Sequence, residues 1–307
     1  MTLFPATHAI AAAAALLFGL LCTPGASAQT SGAAQGTLDK IRTSGRAVLG
    51  VREASPPMAY ALGANEKYVG YHVELCERVL REIAPDAKLE YLAATAQSTL
   101  ALVQNGTLDI GCGPTTNNTA RQQQVAFAVT TYVSEVRMAV RADSAIRSIS
   151  QLGGRTVAAS TGTTAVQMLR RQERALGTPM NILLGKDHAE SFLLLESGRA
   201  DAFVLDDNLL AGVIAGAKNP GDFRIVGEPL GAEPIALLFR KDDPAFKAAV
   251  DGVLTRLMQT GELEKIYAKW FTTPIPPKNL RLNLPMGAAL KALIASPNDK
   301  PLETYLK

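Results

Sequence analysis

The stretch TLALVQNGTLDIGCGPT, residues 99–115, contains the pattern that indicates the fold class. A leucine-bearing segment with helical spacing ends at Asn105-Gly106, a pair typical of a helix C-terminus. The short apolar run Leu108–Cys112 then indicates a buried strand, and a polar loop follows it. This order of helix, glycine, aspartate and strand predicts a unit in which a helix packs beside a strand.

The same order occurs a second time, in SFLLLESGRADAFVLDD, residues 191–207. Another matching pair consists of GRAVLGVREAS, residues 45–55, and GRTVAASTGTT, residues 154–164, each with a Gly-Arg turn, a strand and a polar loop. Short apolar runs alternate with longer amphipathic segments along the chain, which is the α/β signature. Two matches in the same order therefore predict two similar α/β lobes.

Further elements of the first lobe follow from the same pattern. Strands are predicted at Ala47–Val51 and Leu89–Leu92, and a helix at Val73–Ile83. Residues 131–140 and 225–238 are predicted to be the two crossings between the lobes.

The second crossing implies that the chain returns to the first lobe. There Pro244–Trp270 predicts two helices separated by a glycine break. The proline-rich segment 272–280 suits neither helix nor strand. It predicts an ordered tail that wraps the lobe and ends in a helix near Ala288–Ala295.

The N-terminus carries the features of an export signal. An apolar stretch at Ala9–Leu21 is followed by Ala26-Ser27-Ala28, which resembles a signal-peptidase site. Residues 1–28 are therefore predicted to be a signal peptide, and no later run is long enough for a membrane span. Export leaves Cys76 and Cys112, for which a disulfide and two separately buried thiols stay open alternatives.

Composition limits the function classes. The chain has 307 residues, 47% of them hydrophobic, which is enough for two well-packed lobes. A formal net charge of +3 argues against a nucleic-acid partner. After export only His72 and His188 remain as histidines, and no spacing suits a metal site, a nucleophile elbow or a phosphate loop. The sequence therefore predicts no catalytic residue, no metal and no cofactor.

Polar side chains follow several predicted strands, where ligands collect in open α/β sheets. Helix starts near Thr116 and Thr164 offer free N–H groups to an anion, and Arg121 adds a planar guanidinium suited to a carboxylate. Asp206 supplies the charge that an ammonium group needs. Together they describe a receptor for an α-amino acid. Each residue also has an ordinary alternative, as a helix cap or a solvated surface charge.

These residues also carry a family resemblance. The motifs TTNNTARQQQ and KDHAESFLLLESGRADAFVLDD, with TTPIPPKNL near the end, resemble periplasmic solute-binding proteins of polar amino-acid ABC transporters. The similarity is greatest to the branch that binds glutamate and aspartate. It implies a type II periplasmic-binding-protein fold with two α/β lobes joined by a two-strand hinge. The implied lobes are residues 29–132 with 232–307, and residues 133–231.

The resemblance also implies roles for individual residues. Arg121 and Thr116 are expected to bind the α-carboxylate of the ligand. Asp206 and the backbone carbonyl of Pro114 are expected to bind the α-ammonium group. The residues expected to contact the side chain of the ligand are Arg52, Thr164, His188 and Thr99.

One part of the expected site departs from the acidic-ligand branch. Where that branch has Ser-Gln-Asn-Arg, this chain has Ala96-Gln97-Ser98-Thr99. A serine and an arginine that face the side-chain carboxylate are therefore absent. The expectation is a retained α-amino-acid receptor in which acidic ligands bind more weakly, with amide or other polar side chains as an alternative.

The resemblance implies a periplasmic monomer that delivers an amino acid to a membrane permease encoded elsewhere. A sensory role, in which the closed form contacts a receptor, is compatible with the same residues. The alternative from another class is an enzyme of the same fold, similar to cyclohexadienyl or arogenate dehydratases, with Asp206 or His188 as the acid. The lack of further acid-base groups in the expected cleft favours the binding protein.

Overall fold

The computed structural model describes residues 35–63 and 67–305. The predicted signal peptide, residues 1–28, lies outside the described residues. The helices of the described part are α1 (Thr37–Ser44), α2 (Tyr71–Ile83), α3 (Thr99–Gln104), α4 (Thr119–Gln122), α5 (Thr164–Leu176), α6 (His188–Glu196), α7 (Asp207–Gly216), α8 (Pro244–Gln259), α9 (Glu262–Phe271) and α10 (Ala288–Ala295).

The strands of the described residues form three sheets. They are β1 (Arg46–Val51), β2 (Ala54–Ser55), β3 (Ala59–Leu62), β4 (Lys67–Val69), β5 (Lys88–Ala93), β6 (Ile110–Gly111), β7 (Val125–Phe127), β8 (Tyr132–Arg141), β9 (Thr156–Ser160), β10 (Asn181–Gly185), β11 (Ala202–Asp206), β12 (Phe223–Ile235) and β13 (Leu238–Arg240). Two sheets have five strands each, and β2, β3 and β4 make a small antiparallel sheet.

The two large sheets share one design. In the first, β5, β1 and β6 are parallel neighbours, and β13 and β7 continue the sheet in antiparallel pairing. In the second, β10, β9 and β11 are parallel neighbours, followed by β8 and β12 in antiparallel pairing. The internal repeat seen in the sequence therefore corresponds to a repeated parallel unit, and the prediction of two similar α/β lobes is confirmed.

The long strands β8 and β12 form the connection between the two sheets. They pair antiparallel from Tyr132↔Ile235 at one end to Arg141↔Phe223 at the other, with an irregularity between Val226 and Gly231. Both strands enter the second sheet, and their Tyr132 and Ile235 ends lie beside the first. This paired crossing corresponds to the predicted two-strand hinge. The exact lobe boundaries, near residues 132 and 232, stay a prediction.

Aromatic side chains pack helix α9 against helix α2 and the start of strand β8. Tyr132, at the start of β8, stacks on Phe271 of α9 with ring centroids 4.9 Å apart. Tyr71 of α2 packs edge-on against the same ring at 5.2 Å. Gly261 ends the preceding turn in the left-handed region, with φ of 74°, so α8 and α9 are separated as the sequence predicted.

Cys76 and Cys112 form a disulfide with a Cα–Cα distance of 6.0 Å. The bridge joins the middle of α2 to the residue that follows β6. Of the two alternatives that the sequence left open, the structure therefore shows the disulfide.

Candidate functional site

The polar loops at the carboxyl ends of the parallel strands meet where the two sheets face each other. From the first sheet come the ends of β1 and β6, and from the second come the ends of β9 and β11. The C-terminal end of β12 joins them, since Ile235 forms an isolated bridge with Thr116. This is the position at which open α/β sheets collect ligands.

Arg121 links the loops of the two sheets. It lies on the short helix α4, which the side chain of Asn118 caps by accepting a hydrogen bond from the Arg121 N–H at 2.9 Å. The guanidinium donates to the carbonyl oxygen of Thr116 at 2.9 Å and to that of Gly162, in the loop after β9, at 3.1 Å. Burial lowers the pKa of Arg121, while the nearby Glu233 and Asp206 raise it. Arg121 is therefore a half-buried cation that contacts both lobes, and not a fully solvated surface charge.

Gly162 is required for this close approach of the loops. Its φ is +80°, and a Cβ added there would lie 2.7 Å from the Cα of Gln97 in the first lobe. A side chain at this position would therefore push the two loops apart.

The C-terminal tail holds the loop that carries Thr116 and Arg121. The backbone N–H of Leu302 donates to the carbonyl of Asn117 at 2.9 Å. The Asn117 amide donates in turn to the carbonyl of Asp299 at 2.8 Å. Glu303 accepts hydrogen bonds from the N–H and the hydroxyl of Thr119, both at 2.9 Å. The predicted tail therefore wraps the lobe and orders this loop.

Glu233 lies between Thr116 and Thr164 at the centre of the site, and it is not among the residues predicted from the sequence. Its Oε2 accepts hydrogen bonds from the hydroxyl of Thr116 at 2.7 Å and from the hydroxyl of Thr164 at 2.9 Å. The side chain is fully buried, and Oε1 has no hydrogen-bond partner. Burial raises the pKa of Glu233, and the hydrogen bonds from the two threonines oppose this shift.

Asp206 is the second carboxylate of the site, and it is half-buried. Its Oδ1 accepts a hydrogen bond from the hydroxyl of Ser134 on β8 at 2.6 Å. Ser134 is the register partner of Glu233 across β8 and β12, so the two carboxylates approach the same place. Burial, followed by the charge of Glu233, raises the pKa of Asp206 to about 7.

Arg52 follows the last residue of β1, and its side chain is buried. It donates to the carbonyl of Ala94 at 3.1 Å and to the hydroxyl of Thr99. Burial and the charge of Arg121 lower the pKa of Arg52 to about 9. Gly113 leaves room for this side chain, because a Cβ there would lie 2.8 Å from Cγ of Arg52.

His188 is the first residue of α6, and it lines the same cavity as Arg52. Its Nδ1 lies 2.8 Å from the hydroxyl of Ser160, which also lies 2.8 Å from the hydroxyl of Ser191. Burial, with the charge of Arg52, lowers the pKa of His188 to about 3. The imidazole is therefore neutral at physiological pH, and it offers a polar contact without a charge.

A cavity of about 30 Å³ lies between Arg52 and His188. It is lined on the first-lobe side by Ala94 and Ala96, and on the second-lobe side by Ser160, among others. A space of this size holds one or two water molecules. Thr99 does not line it.

The structure brings most of the predicted residues together. Arg121, Thr116 and Thr164 surround Glu233, with Asp206 beside them. Thr99 is buried beneath Arg52, and its hydroxyl donates to the carbonyl of Thr95 at 2.7 Å. Pro114 is half-buried in the loop between β6 and Thr116.

The ordinary alternatives for these residues do not describe the structure. Asn118 caps α4 and Asp187 caps α6, whereas no side-chain cap bond is present at α5 or α7. The hydroxyls of Thr116 and Thr164 bind Glu233 instead. Glu233 had one signal in the sequence, an acidic residue next to the apolar run PIALL at the end of the second crossing.

The residues that the structure describes contain neither a candidate metal cluster nor a candidate membrane span. Within 35–63 and 67–305, no group of three or more His, Cys, Asp or Glu side chains could hold a metal ion. Over the same residues no helix is both long and apolar enough to cross a bilayer.

Known proteins resemble this chain in sequence. Residues 47–273 match the bacterial extracellular solute-binding proteins, family 3. The chain is 44% identical over 273 residues to the L-glutamate/L-aspartate-binding protein of Pseudomonas aeruginosa, covering 87% of this chain and 90% of that protein. It is 40% identical over 275 residues to the glutamate/aspartate import solute-binding protein of Escherichia coli, covering 88% and 91%.

A solved structure supports the fold. The ancestral amino acid-binding protein AncCDT-1, a precursor of cyclohexadienyl dehydratase, aligns with a TM-score of 0.68 at 27% identity, covering 77% of this chain and 100% of that one.

Proposed function

Because the chain belongs to family 3 of the bacterial extracellular solute-binding proteins, we propose that it captures an α-amino acid between its two lobes. In this proposal it is the substrate-binding component of an ABC importer. The observation that carries the proposal is the meeting of Arg121 and Thr116 from one lobe with Thr164 and Asp206 from the other. These groups supply donors for a carboxylate beside an acceptor for an ammonium group.

The main chain of the ligand would be recognised by charge. Arg121 and Thr116 bind the α-carboxylate, and Asp206 binds the α-ammonium group together with the carbonyl of Pro114. Thr164 donates to the same oxygen of Glu233 as Thr116 does. We therefore assign Thr164 to the same ligand carboxylate as Thr116, although the family resemblance implied a side-chain contact.

The side chain of the ligand would extend toward Arg52, His188 and the cavity that they line. Two similar proteins, from Pseudomonas aeruginosa and Escherichia coli, are named for glutamate and aspartate, which favours these ligands. Arg52 can neutralise one side-chain carboxylate, but no second arginine stands at position 99. Loss of one partner of a buried charge pair costs about 2 to 5 kcal/mol, which corresponds to about one and a half to three and a half decades of affinity. We therefore expect acidic amino acids to bind with reduced affinity, or an amino acid with an amide side chain to be the ligand.

Thr99 would act through Arg52 and not on the ligand. Its hydroxyl accepts from the guanidinium and donates to Thr95, so it sets the direction of the Arg52 side chain. In this role Thr99 is a positioning residue.

Capture would proceed by closure of the lobes over the ligand. Closure excludes water from the buried charges, which strengthens their interaction with the ligand. It also produces a shape that a permease can distinguish from the open form. We propose that the protein works as a monomer in the periplasm and delivers the ligand to such a permease in the inner membrane.

A calorimetric titration with the twenty common L-amino acids tests the proposal. The protein is first unfolded and refolded so that any ligand carried through purification is removed. We expect L-glutamate or L-aspartate to bind, or failing these an amino acid with an amide side chain. If no amino acid binds, the proposed function is wrong.

Arg121→Met tests the assignment of the α-carboxylate. The variant removes the guanidinium and keeps the aliphatic stem, so every amino acid should lose at least about 2 kcal/mol of binding free energy. The matched control is Arg42→Met, at an exposed arginine of α1. Equal affinity of the Arg121 variant and the wild type would exclude this role.

A further inference from the structure

One oxygen of Glu233 accepts hydrogen bonds from both lobes. Thr116 lies in the loop that follows β6, and Thr164 is the first residue of α5. Each threonine hydroxyl has one proton to donate. While both protons are given to Glu233, neither is available to a carboxylate of a ligand.

The backbone of Glu233 is fixed beside the first lobe. The next residue, Pro234, accepts a hydrogen bond from the N–H of Asn117 at 2.8 Å, and Ile235 accepts one from the N–H of Thr131 at 3.0 Å. Glu233 itself pairs with Ser134 across the two strands. Rotation of the side chain is therefore the means by which Glu233 can release the threonines.

We propose that Glu233 is an internal surrogate for the carboxylate of the ligand. In the protein without ligand it binds Thr116 and Thr164 and holds the two lobes together, and a ligand carboxylate takes its place. This inference rests on the proposed function, because it assumes that Thr116 and Thr164 bind a ligand carboxylate.

The surrogate has a definite thermodynamic consequence. The bonds from Thr116 and Thr164 to Glu233 exist before the ligand binds and are absent afterwards. Removing the Glu233 carboxylate therefore destabilises the unliganded closed form and leaves the liganded form unchanged. The variant should bind amino acids more tightly, although it loses a polar group from the centre of the site.

An ammonium contact would have the opposite effect. Oε1 of Glu233 has no hydrogen-bond partner and the carboxylate lies near Asp206, so a direct bond to the α-ammonium group of the ligand is the competing role. Loss of that bond would weaken binding. The sign of the change in affinity thus separates the two roles.

The test uses Glu233→Met and Glu233→Ala in the full-length mature protein, because neither side chain can accept the two threonine hydrogen bonds, with Glu228→Met as the matched control. Glu228 lies on the same strand β12 with an exposed side chain. L-Glutamate and L-aspartate are titrated by calorimetry. The radius of gyration of each protein without ligand is measured by small-angle X-ray scattering.

We expect both Glu233 variants to bind about tenfold more tightly than the wild type, or about 1.4 kcal/mol. Without ligand their radius of gyration should exceed that of the wild type, and addition of ligand should restore it. The Glu228 variant should match the wild type in both measurements. Circular dichroism confirms folding, and the methionine variant, which is similar in size to glutamate, decides between the two roles if the alanine variant does not fold.

Weaker or unchanged binding of amino acids by the Glu233 variants would overturn the proposal that Glu233 is a surrogate. So would an unchanged radius of gyration. If the wild type binds no amino acid, the proposed function fails separately. Scattering of the variants still decides in that case whether Glu233 holds the lobes together.

Discussion

The disulfide between Cys76 and Cys112 should contribute strongly to stability and little to ligand affinity. The bridge spans a sequence separation of 36 residues. Loop-closure entropy for this length predicts about 4 kcal/mol of stabilisation at 25 °C, through the restricted unfolded chain. For a chain of this size, that loss lowers Tm by roughly 8 °C.

Affinity should be preserved because a second contact holds the same loop. His72 lies one turn before Cys76 on α2, and its Nδ1 is 2.9 Å from the carbonyl of Gly113, which follows Cys112. The hydroxyl of Thr131 lies 2.8 Å from Nε2. Burial lowers the pKa of His72 to about 4, so the neutral ring donates to the carbonyl and accepts from the hydroxyl. Cleavage of the bridge leaves both hydrogen bonds in place.

The assay is urea unfolding of the oxidised wild type, the reduced wild type and the double variant Cys76→Ala/Cys112→Ala. The reduced wild type is the matched control, because it keeps both sulfur atoms and the packing around them. We expect similar losses of unfolding free energy in both altered proteins, and a change in amino-acid affinity of at most about threefold, below 1 kcal/mol. A stability loss under about 1 kcal/mol would refute the entropic account, and a large loss of affinity would refute the role of His72.

Three further predictions concern the ligand site. Ala96→Ser places a hydroxyl in the wall of the cavity beside Arg52. The variant should bind L-glutamate and L-aspartate more tightly by about 1 kcal/mol, while its affinity for L-alanine stays unchanged. Calorimetry that shows equal gains for all three amino acids would contradict this. Deletion of residues 297–307 removes the hydrogen bonds between the tail and Asn117. Affinity for every amino acid should then fall about tenfold, by about 1.4 kcal/mol, while circular dichroism shows a folded protein. Full affinity after the deletion would show that the loop keeps its conformation without the tail. The pKa of Asp206, raised to about 7, implies that the carboxylate is protonated at lower pH and cannot bind an ammonium group. Affinity should therefore rise as pH increases from 5.5 through the pKa and level off only above about pH 8, and a flat profile below pH 7 would exclude Asp206 as the ammonium site.

Local patterns predicted most elements because each has a local cause. The helix at Val73–Ile83 is α2, which begins two residues earlier, and Ala47–Val51 lies within β1. The strand predicted at Leu108–Cys112 is shorter, since β6 spans Ile110–Gly111. Here the side chain of Asp109 accepts the hydrogen bond from the N–H of Val48 at 2.8 Å, in the place where a backbone carbonyl would continue the ladder.

Contacts between distant parts of the chain were less accessible to sequence reasoning. Glu233 reaches Thr116 and Thr164 only because the second crossing ends beside the first lobe, and no local pattern encodes that meeting. The disulfide was left open for the same reason, since the distance between two cysteines depends on how α2 packs on the first sheet. Thr99 was expected to face the ligand, but as the first residue of α3 it points beneath Arg52.

In the proposed function, a balance of charges allows an acidic ligand to bind without a second side-chain arginine. Among the residues assigned to the site, the two guanidiniums of Arg52 and Arg121 balance the two carboxylates of Asp206 and Glu233, and His188 is neutral, so this set suits a ligand with no net charge. An acidic amino acid adds one negative charge to this buried site, where an unbalanced charge is costly. Protonation of one carboxylate restores the balance. Burial raises the pKa of both Asp206 and Glu233. In the proposed function Asp206 stays ionised to hold the ammonium group, which leaves Glu233 as the carboxylate that would take up the proton. A displaced, neutral Glu233 would then compensate for the absence of a second arginine at position 99.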